Sequence, residues 1–298
     1  MDFNLLLDRL FLGLSNGSTY ALIALALVMI FKATTLINFA QGEFAMIGAF
    51  FVFVLSVEQG LPVWIAVFLG MVISALAAAG IERTLIRPFD PSDHLPLVII
   101  TLGLFLAINA LAAMIWGFNT RAFPALFPSG NALTIGTATL SWYTVGVVFV
   151  TFATAGALTL LLNRTKIGLA FRAVSSNLES SELVGVRVGP TLQFGWAIAA
   201  AVGTLGASVY VANPILSLEP SVMIRVLIFA VSAAALGGLD SVWGAIAGGI
   251  AIGMVQSIVV PYAKIPNELA LGAAVVVLML VLLFKPSGLF GTPQVERV

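Results

Sequence analysis

Long apolar stretches, broken only by brief polar punctuation, run through this chain almost from end to end. A helix needs about 20 apolar residues to cross roughly 30 Å of hydrocarbon. Nine segments reach or approach that length, near 10–31, 36–57, 62–81, 95–116, 142–162, 191–212, 222–239, 242–262 and 268–284. Only 9% of the 298 residues are charged and 60% are apolar. A soluble domain carries about 25% charged residues, so this chain lacks the polar groups to dress a water-facing surface. The expectation is an all-α fold: a polytopic integral membrane helical bundle of about eight or nine transmembrane helices, with room for broken helices, forming one domain over 1–298. The second segment opens with polar residues, and the pair flanking Asp240 reads equally as a single interrupted element.

What the chain lacks excludes whole classes of function. Thirteen Lys and Arg balance thirteen Asp and Glu, so no basic surplus exists to neutralise phosphates, and nucleic acid is not an expected partner. There is no cysteine, hence no disulfide, thiolate metal site or Cys nucleophile, and the single His94 rules out a multi-histidine metal centre. No Gly-Lys dipeptide occurs, so the chain has no Walker A loop. Any ATP drive must come from another polypeptide. His94 lies in a connecting segment, and Asp2, Asp8, Asp90, Asp93 and Asp240 all fall near segment ends, which leaves no nucleophile–base pair or Asp dyad within the membrane. An enzyme is not expected, nor a cofactor bound by this chain.

Cytoplasmic loops of membrane proteins collect Lys and Arg. With nine spans, one side receives Lys32, Arg83, Arg87, Arg164, Lys166, Arg172, Arg187, Lys285 and Arg297, and the other only Arg9, Arg121, Arg225 and Lys264. Nine against four places 82–94, 163–190 and the C-terminal tail in the cytoplasm. Met1–Arg9 carries Asp2 and Asp8 where a signal peptide would be basic, so the first span is expected to stay. A miscounted span would move the N-terminus across.

Three places depart from plain apolar helix. At Ile37–Phe44, Asn38, Gln41 and Glu43 enter a stretch that otherwise reads as membrane. Polar groups at that depth normally face a protein interior or a wet cavity. One reading is a discontinuous helix whose unwound backbone lines a passage, with a new helix beginning near Gly42. The other is that Asn38 caps the second span while Glu43 complements the helix dipole in its first turn. At Leu236–Gly244, a glycine-rich turn leads into Gly244, Gly248, Gly249 and Gly253; Gly244 with Gly248, and Gly249 with Gly253, are small residues four apart on one helix, letting another backbone approach closely. Asp240 is expected to cap the following helix. A polar turn with one acid followed by a Gly/Ala-rich helix occurs at both 38–53 and 237–253, a loose internal echo.

The third place is the loop 163–190, longer than a connection needs. Ile167, Ala170, Phe171 and Val174 fall at helical spacing on one apolar stripe. Ser176 with Glu179 reads as a capping box opening a second short helix that closes around Gly185. Physics alone leaves two roles open: a docking surface for a cytoplasmic partner, or an amphipathic hairpin lying on the bilayer. The outward loop 117–141, with Phe118, Arg121, Phe123, Phe127 and Pro128, either covers helix ends or meets an external partner.

Six landmarks in order resemble one family: Gly17–Ala24, Ile37–Glu43, Glu82-Arg83 with Arg87-Pro88, Gly168–Val174, Leu236–Ser241 with Gly244-Ala245, and Pro286–Gly291. The chain resembles, almost end to end, the membrane permeases of branched-chain amino acid ABC importers, the LivH-like group. Two departures stand out. Gln41 occupies a position where the family commonly has His, which removes a titratable group, and Ile86 replaces a common Tyr before the Arg-Pro pair.

The resemblance implies a permease subunit of an ATP-driven importer in a bacterial inner membrane, paired with a second homologous permease and two cytoplasmic ATPase subunits that carry the ATP. Substrate would arrive from a periplasmic binding protein. It implies that 163–190 engages an ATPase, with Arg172, Glu179, Glu182 and Arg187 as polar contacts and Ile167, Phe171 and Val174 as the apolar anchor. Asn38, Gln41 and Glu43 are the candidates for lining the passage. Relatives of this architecture carry branched-chain and other amino acids, amides, urea and aromatic acids, so substrate identity does not follow. The alternative is an ion-coupled secondary carrier of a small polar solute, to which the few intramembrane charges are poorly suited.

Overall fold

A computed structural model describes residues 3–89, 94–266 and 269–292, excluding the side chains of His94 and Glu179. Among the described residues the helices, in chain order, are α1 (Phe3–Thr34), α2 (Gln41–Glu58), α3 (Val63–Ile86), α4 (His94–Trp116), α5 (Trp142–Arg164), α6 (Lys166–Ser176), α7 (Leu178–Leu183), α8 (Val188–Val211), α9 (Val222–Gly237), α10 (Val242–Tyr262) and α11 (Ala270–Phe284). Seven are long and apolar enough to cross a bilayer, and α9 and α11, at 16 and 15 residues, are shorter apolar helices. The nine apolar segments thus each hold one helix. The pair flanking Asp240 is two helices, because Gly238 adopts φ +108°, closed to most side chains, and breaks the ladder.

The purely helical expectation needs one correction. In the loop after α4, β1 (Asn131–Ile135) and β2 (Ala138–Ser141) pair antiparallel around Gly136, which has φ +63°. This hairpin also fixes sidedness: the Thr139 N–H donates to Asp8 Oδ1 at 2.8 Å. The N-terminus and the 117–141 loop therefore share a face, and an even number of crossings separates them. The loop 163–190, one crossing later, lies opposite.

Burial follows from composition around each helix. In α1 every residue from Gly17 to Ile30 is buried, so it runs through the middle of the bundle; α3, α4 and α5 are apolar all round and mostly exposed, as lipid- or partner-facing helices are. Helices in lipid gain little from the hydrophobic effect and associate by close packing. A Cβ added at Gly17 would lie 2.7 Å from Ile250 Cα, and one at Gly249 would lie 2.7 Å from the Ala21 nitrogen, so α1 and α10 meet backbone to backbone. Gly253 faces Gly13 and Gly17 of α1, whereas Gly244 and Gly248 face Gly237 and Ala233 of α9. The four glycines thus serve two interfaces. Tyr20 adds a polar tie, its hydroxyl donating to Gln256 Oε1 at 2.6 Å.

Two of the sequence landmarks meet in space. The Leu289 and Phe290 N–H groups donate to the Leu236 and Gly237 carbonyls at 2.8 and 2.9 Å, strapping the tail over the α9–α10 turn. Asp240 accepts from the Thr292 N–H at 3.1 Å and from its hydroxyl. It does not cap α10, as expected from sequence; Ser241, in an extended conformation, does so by accepting from the Gly244 N–H at 3.0 Å.

Candidate functional site

The segment 35–40 is a true interruption. Thr35 takes φ +56° and ends α1, the Ala40 N–H donates to Asn38 Oδ1 at 2.9 Å, and α2 starts at Gln41. Asn38 therefore shapes the turn but does not cap α2, whose N-cap position is Ala40, without a side-chain bond. All three polar residues are inside: Asn38 is 1% exposed, Gln41 and Glu43 0%. They do not share a wall. Gln41 Nε2 donates to the Ala199 carbonyl of α8 at 3.0 Å, while Glu43 Oε2 accepts from Asn109 Nδ2 of α4 at 3.1 Å. Two residues apart on a helix point nearly opposite ways. Asn38 lines a small apolar cavity with Ile37, Leu97 and Trp196 among its walls.

Each of the three leaves one polar atom unpaired: Asn38 Nδ2, Gln41 Oε1 and Glu43 Oε1. An unsatisfied buried polar group costs about 1–3 kcal/mol. Three such atoms fall within six residues, where helix capping accounts for none of them.

The loop 163–190 is built as a helical projection tied to the spans on either side of it. Thr165 caps α6 by accepting from the Gly168 N–H at 3.1 Å, and its hydroxyl donates back to the Leu161 carbonyl at 2.6 Å, tying α6 to the end of α5. Phe171 and Val174 are 2% and 5% exposed; Phe171 packs edge-on against Phe194 of α8 with centroids 6.3 Å apart. Contrary to the sequence expectation of a partner-facing anchor, these two fix the loop to its own bundle. Ile167, Leu169, Leu183 and Val184 are exposed instead, at 42%, 61%, 88% and 78%, and Arg172, Glu182 and Arg187 are exposed beside them. The Glu179 side chain lies outside the described part. The second loop helix is capped by Asn177, which accepts from the Ser180 N–H at 2.7 Å, in place of the expected Ser176–Glu179 box. Gly185, at φ +85°, closes it.

Comparison with known proteins bears on what this arrangement is for. The sequence model of the family described as "Branched-chain amino acid transport system / permease component" matches residues 9–283. The chain belongs to that family. It is a permease component, a multi-pass protein of the cytoplasmic membrane, and not an enzyme. Among its relatives is the high-affinity branched-chain amino acid transport system permease protein LivH of Escherichia coli K12, 30% identical over 100% of this chain and 99% of that one. BraD of Pseudomonas aeruginosa, named as a permease protein of the same kind of system, is 30% identical over 98% of each chain. A probable LivH of Methanocaldococcus jannaschii is 26% identical over 81% of this chain and 77% of its own. A solved structure, PsaBC from Streptococcus pneumoniae in complex with Fab, covers 96% of this chain and 94% of its own at 12% identity and a TM-score of 0.47, too loose a likeness to build on.

Two groups of residues in the permease escaped the sequence reading. Asn109 stands alone as an amide in the apolar run of α4, the same signal that marked Asn38, and its Nδ2 joins Glu43 to the Pro220 carbonyl at 2.9 Å. The second group is a polar latch at the C-terminal end of α3. That helix ends in a wider π turn, Glu82–Ile86, which swings Arg87 back onto the 1% exposed Glu82 at 2.7 Å. Arg87 also donates to the Gly189 carbonyl at 3.1 Å and to Gln193 Oε1 at 3.0 Å, and Gln193 returns a bond to the Ala79 carbonyl at 2.9 Å. The Glu82 and Arg87 landmarks were visible in the sequence; their shared partner on α8 was not. The outward loop mainly covers helix ends: Phe127 packs on Trp64 and Tyr143, and Arg121 lies 5.5 Å over the Phe53 ring.

Proposed function

We propose that this permease passes branched-chain or closely related amino acids across the bacterial inner membrane, as one of two homologous permeases served by two cytoplasmic ATPase subunits and a periplasmic binding protein. The observation that carries the reading is the end-to-end match to relatives named for high-affinity branched-chain amino acid transport. ATP would bind the partner subunits. In this reading the projection α6–α7 is the element the ATPases grip, through exposed Ile167, Arg172, Glu182 and Arg187, with Glu179 beside them. Its support is mechanical: a short helix tied to α5 by Thr165 and pinned to α8 by Phe171 is fixed to two spans, through which a push on it would pass. Such a push shifts an inward–outward balance only if the partner contacts the two states differently.

Asn38, Gln41 and Glu43 are proposed to serve the passage by offering their unpaired atoms to the solute's polar groups as helices part. The test is uptake of labelled leucine by cells expressing the full set of subunits. It should stop when the ATP site of the ATPases is disabled, and the permease should copurify with them in mild detergent. Concentration of a solute by this chain alone in vesicles, driven by an ion gradient, would overturn the proposal in favour of a secondary carrier.

A further inference from the structure

At the cytoplasmic ends of α1, α5 and α10, behind α6, lies a polar cleft whose rim shares Arg172 with the surface proposed to meet the ATPases. Lys32 of α1 and Arg172 of α6 line it, together with Thr159, Asp240, Trp243 and Thr292. Its single acid, Asp240, is already engaged by Thr292. Among the described residues the Glu82–Arg87 contact is the only ion pair within 4 Å, so neither Lys32 nor Arg172 has a carboxylate partner there. The Thr159 hydroxyl is buried and has no hydrogen-bond partner. Two cations thus face one carboxylate in the wall of a polar cleft, which leaves it a net positive charge.

The neighbourhood distinguishes what kind of anion. Trp243, 48% exposed, stands in the wall of the cleft with Phe152 of α5 6.3 Å away, and the α5 face beside it carries Phe149 and Leu160, 72% and 63% exposed. Exposed tryptophan at helix ends marks headgroup depth, and exposed Phe and Leu next to it offer a surface for acyl chains. Basic pockets between spans on the cytoplasmic side suit anionic lipid headgroups. We propose that this cleft binds the phosphate of an anionic phospholipid of the inner leaflet, its phosphate between Lys32 and Arg172 and its chains along α5. A lipid there joins α6 to α1, α5 and α10, and steadies the projection that the ATPases are proposed to grip. The inference does not depend on which solute is carried.

The experiment is native mass spectrometry of the full chain in detergent, titrated with short-chain phosphatidylglycerol and, separately, phosphatidylcholine. Each cation near an anionic headgroup is worth on the order of fivefold in affinity. Phosphatidylglycerol should bind tighter than phosphatidylcholine by about 25-fold, and Lys32→Gln and Arg172→Gln should each lose about fivefold of that preference. Lys32→Arg should retain it, and Arg83→Gln, a cation on the same face outside the cleft, should leave it unchanged. Arg172 is exposed, so its replacement does not threaten the fold even if Lys32→Gln does. Equal binding of the two lipids overturns the proposal, as does an equal loss in Arg83→Gln. Displacement by millimolar inorganic phosphate at the same affinity as the lipid assigns the cleft to a soluble anion and overturns it as well.

Discussion

At the scale of single residues, the cost of unpaired polar groups separates structural from transport roles. Arg87→Ala would strand the buried Glu82 and release Gln193 and the Gly189 carbonyl. Breaking a buried pair costs about 3–5 kcal/mol, and because Arg87 is itself one-third exposed the expected loss is nearer about 2 kcal/mol, read as a lowered Tm in detergent. Uptake should then fall no further than protein level explains. Glu43→Gln should behave in the opposite way: it keeps an acceptor for Asn109 and changes an atom without a partner, so stability changes little while uptake at normal expression falls. Asn38→Ala also strands the buried Ala40 N–H, at about 1–3 kcal/mol, and its uptake should fall further than protein level explains. Uptake unchanged in both variants would reduce the segment to a helix start.

At the scale of elements, packing depends on where small residues meet other backbones. Gly249→Ala puts a methyl into the α1 backbone, an overpacking expected to cost about 1–3 kcal/mol or more, seen as lost monodisperse protein in size-exclusion chromatography. Gly80→Ala in α3 meets nothing within 4 Å and should be neutral, or stabilising by up to about 1 kcal/mol. Sequence spacing identified the glycines of α10 as packing positions but not their partners, since which neighbour each meets depends on helices distant in the chain. Caps went the same way. In both Ser176-Asn177 and Asp240-Ser241 the second of two adjacent candidates does the capping, because only it takes the extended conformation before the first helical residue. Asn177→Ala should therefore destabilise the α7 turn by about 1 kcal/mol, measured as faster amide exchange in 178–183, and Ser176→Ala should not.

For the whole molecule, the hairpin's bond to Asp8 puts 117–141 on the side where α1 starts and 163–190 on the other, and the Lys and Arg count predicts that the second side is the cytoplasm. The chain has no cysteine, so single reporters need no background removal. Thr137→Cys should react with a membrane-impermeant maleimide on intact cells, with the outer membrane permeabilised where there is one; Ser176→Cys should react only once the inner membrane is opened. The reverse pattern would invert the bundle and remove the proposed placement of the ATPases. The tail is a second global feature. Deleting 286–292 removes two backbone hydrogen bonds to the α9–α10 turn and should lower Tm while leaving the spans inserted.

By itself the sequence determined that the chain lives in a bilayer, how many apolar segments it has and to which family it is similar, since all of these are written in composition, segment length and local motif. Only the tertiary structure decided that Phe171 and Val174 turn inward, that Gln41 and Glu43 face different helices, that Asn109 and Gln193 complete polar networks, and that the tail meets the 236–240 turn. Each of those joins residues far apart in the chain. The pattern of one segment shows that a polar group needs a partner; which partner it finds is set by how all the helices pack together.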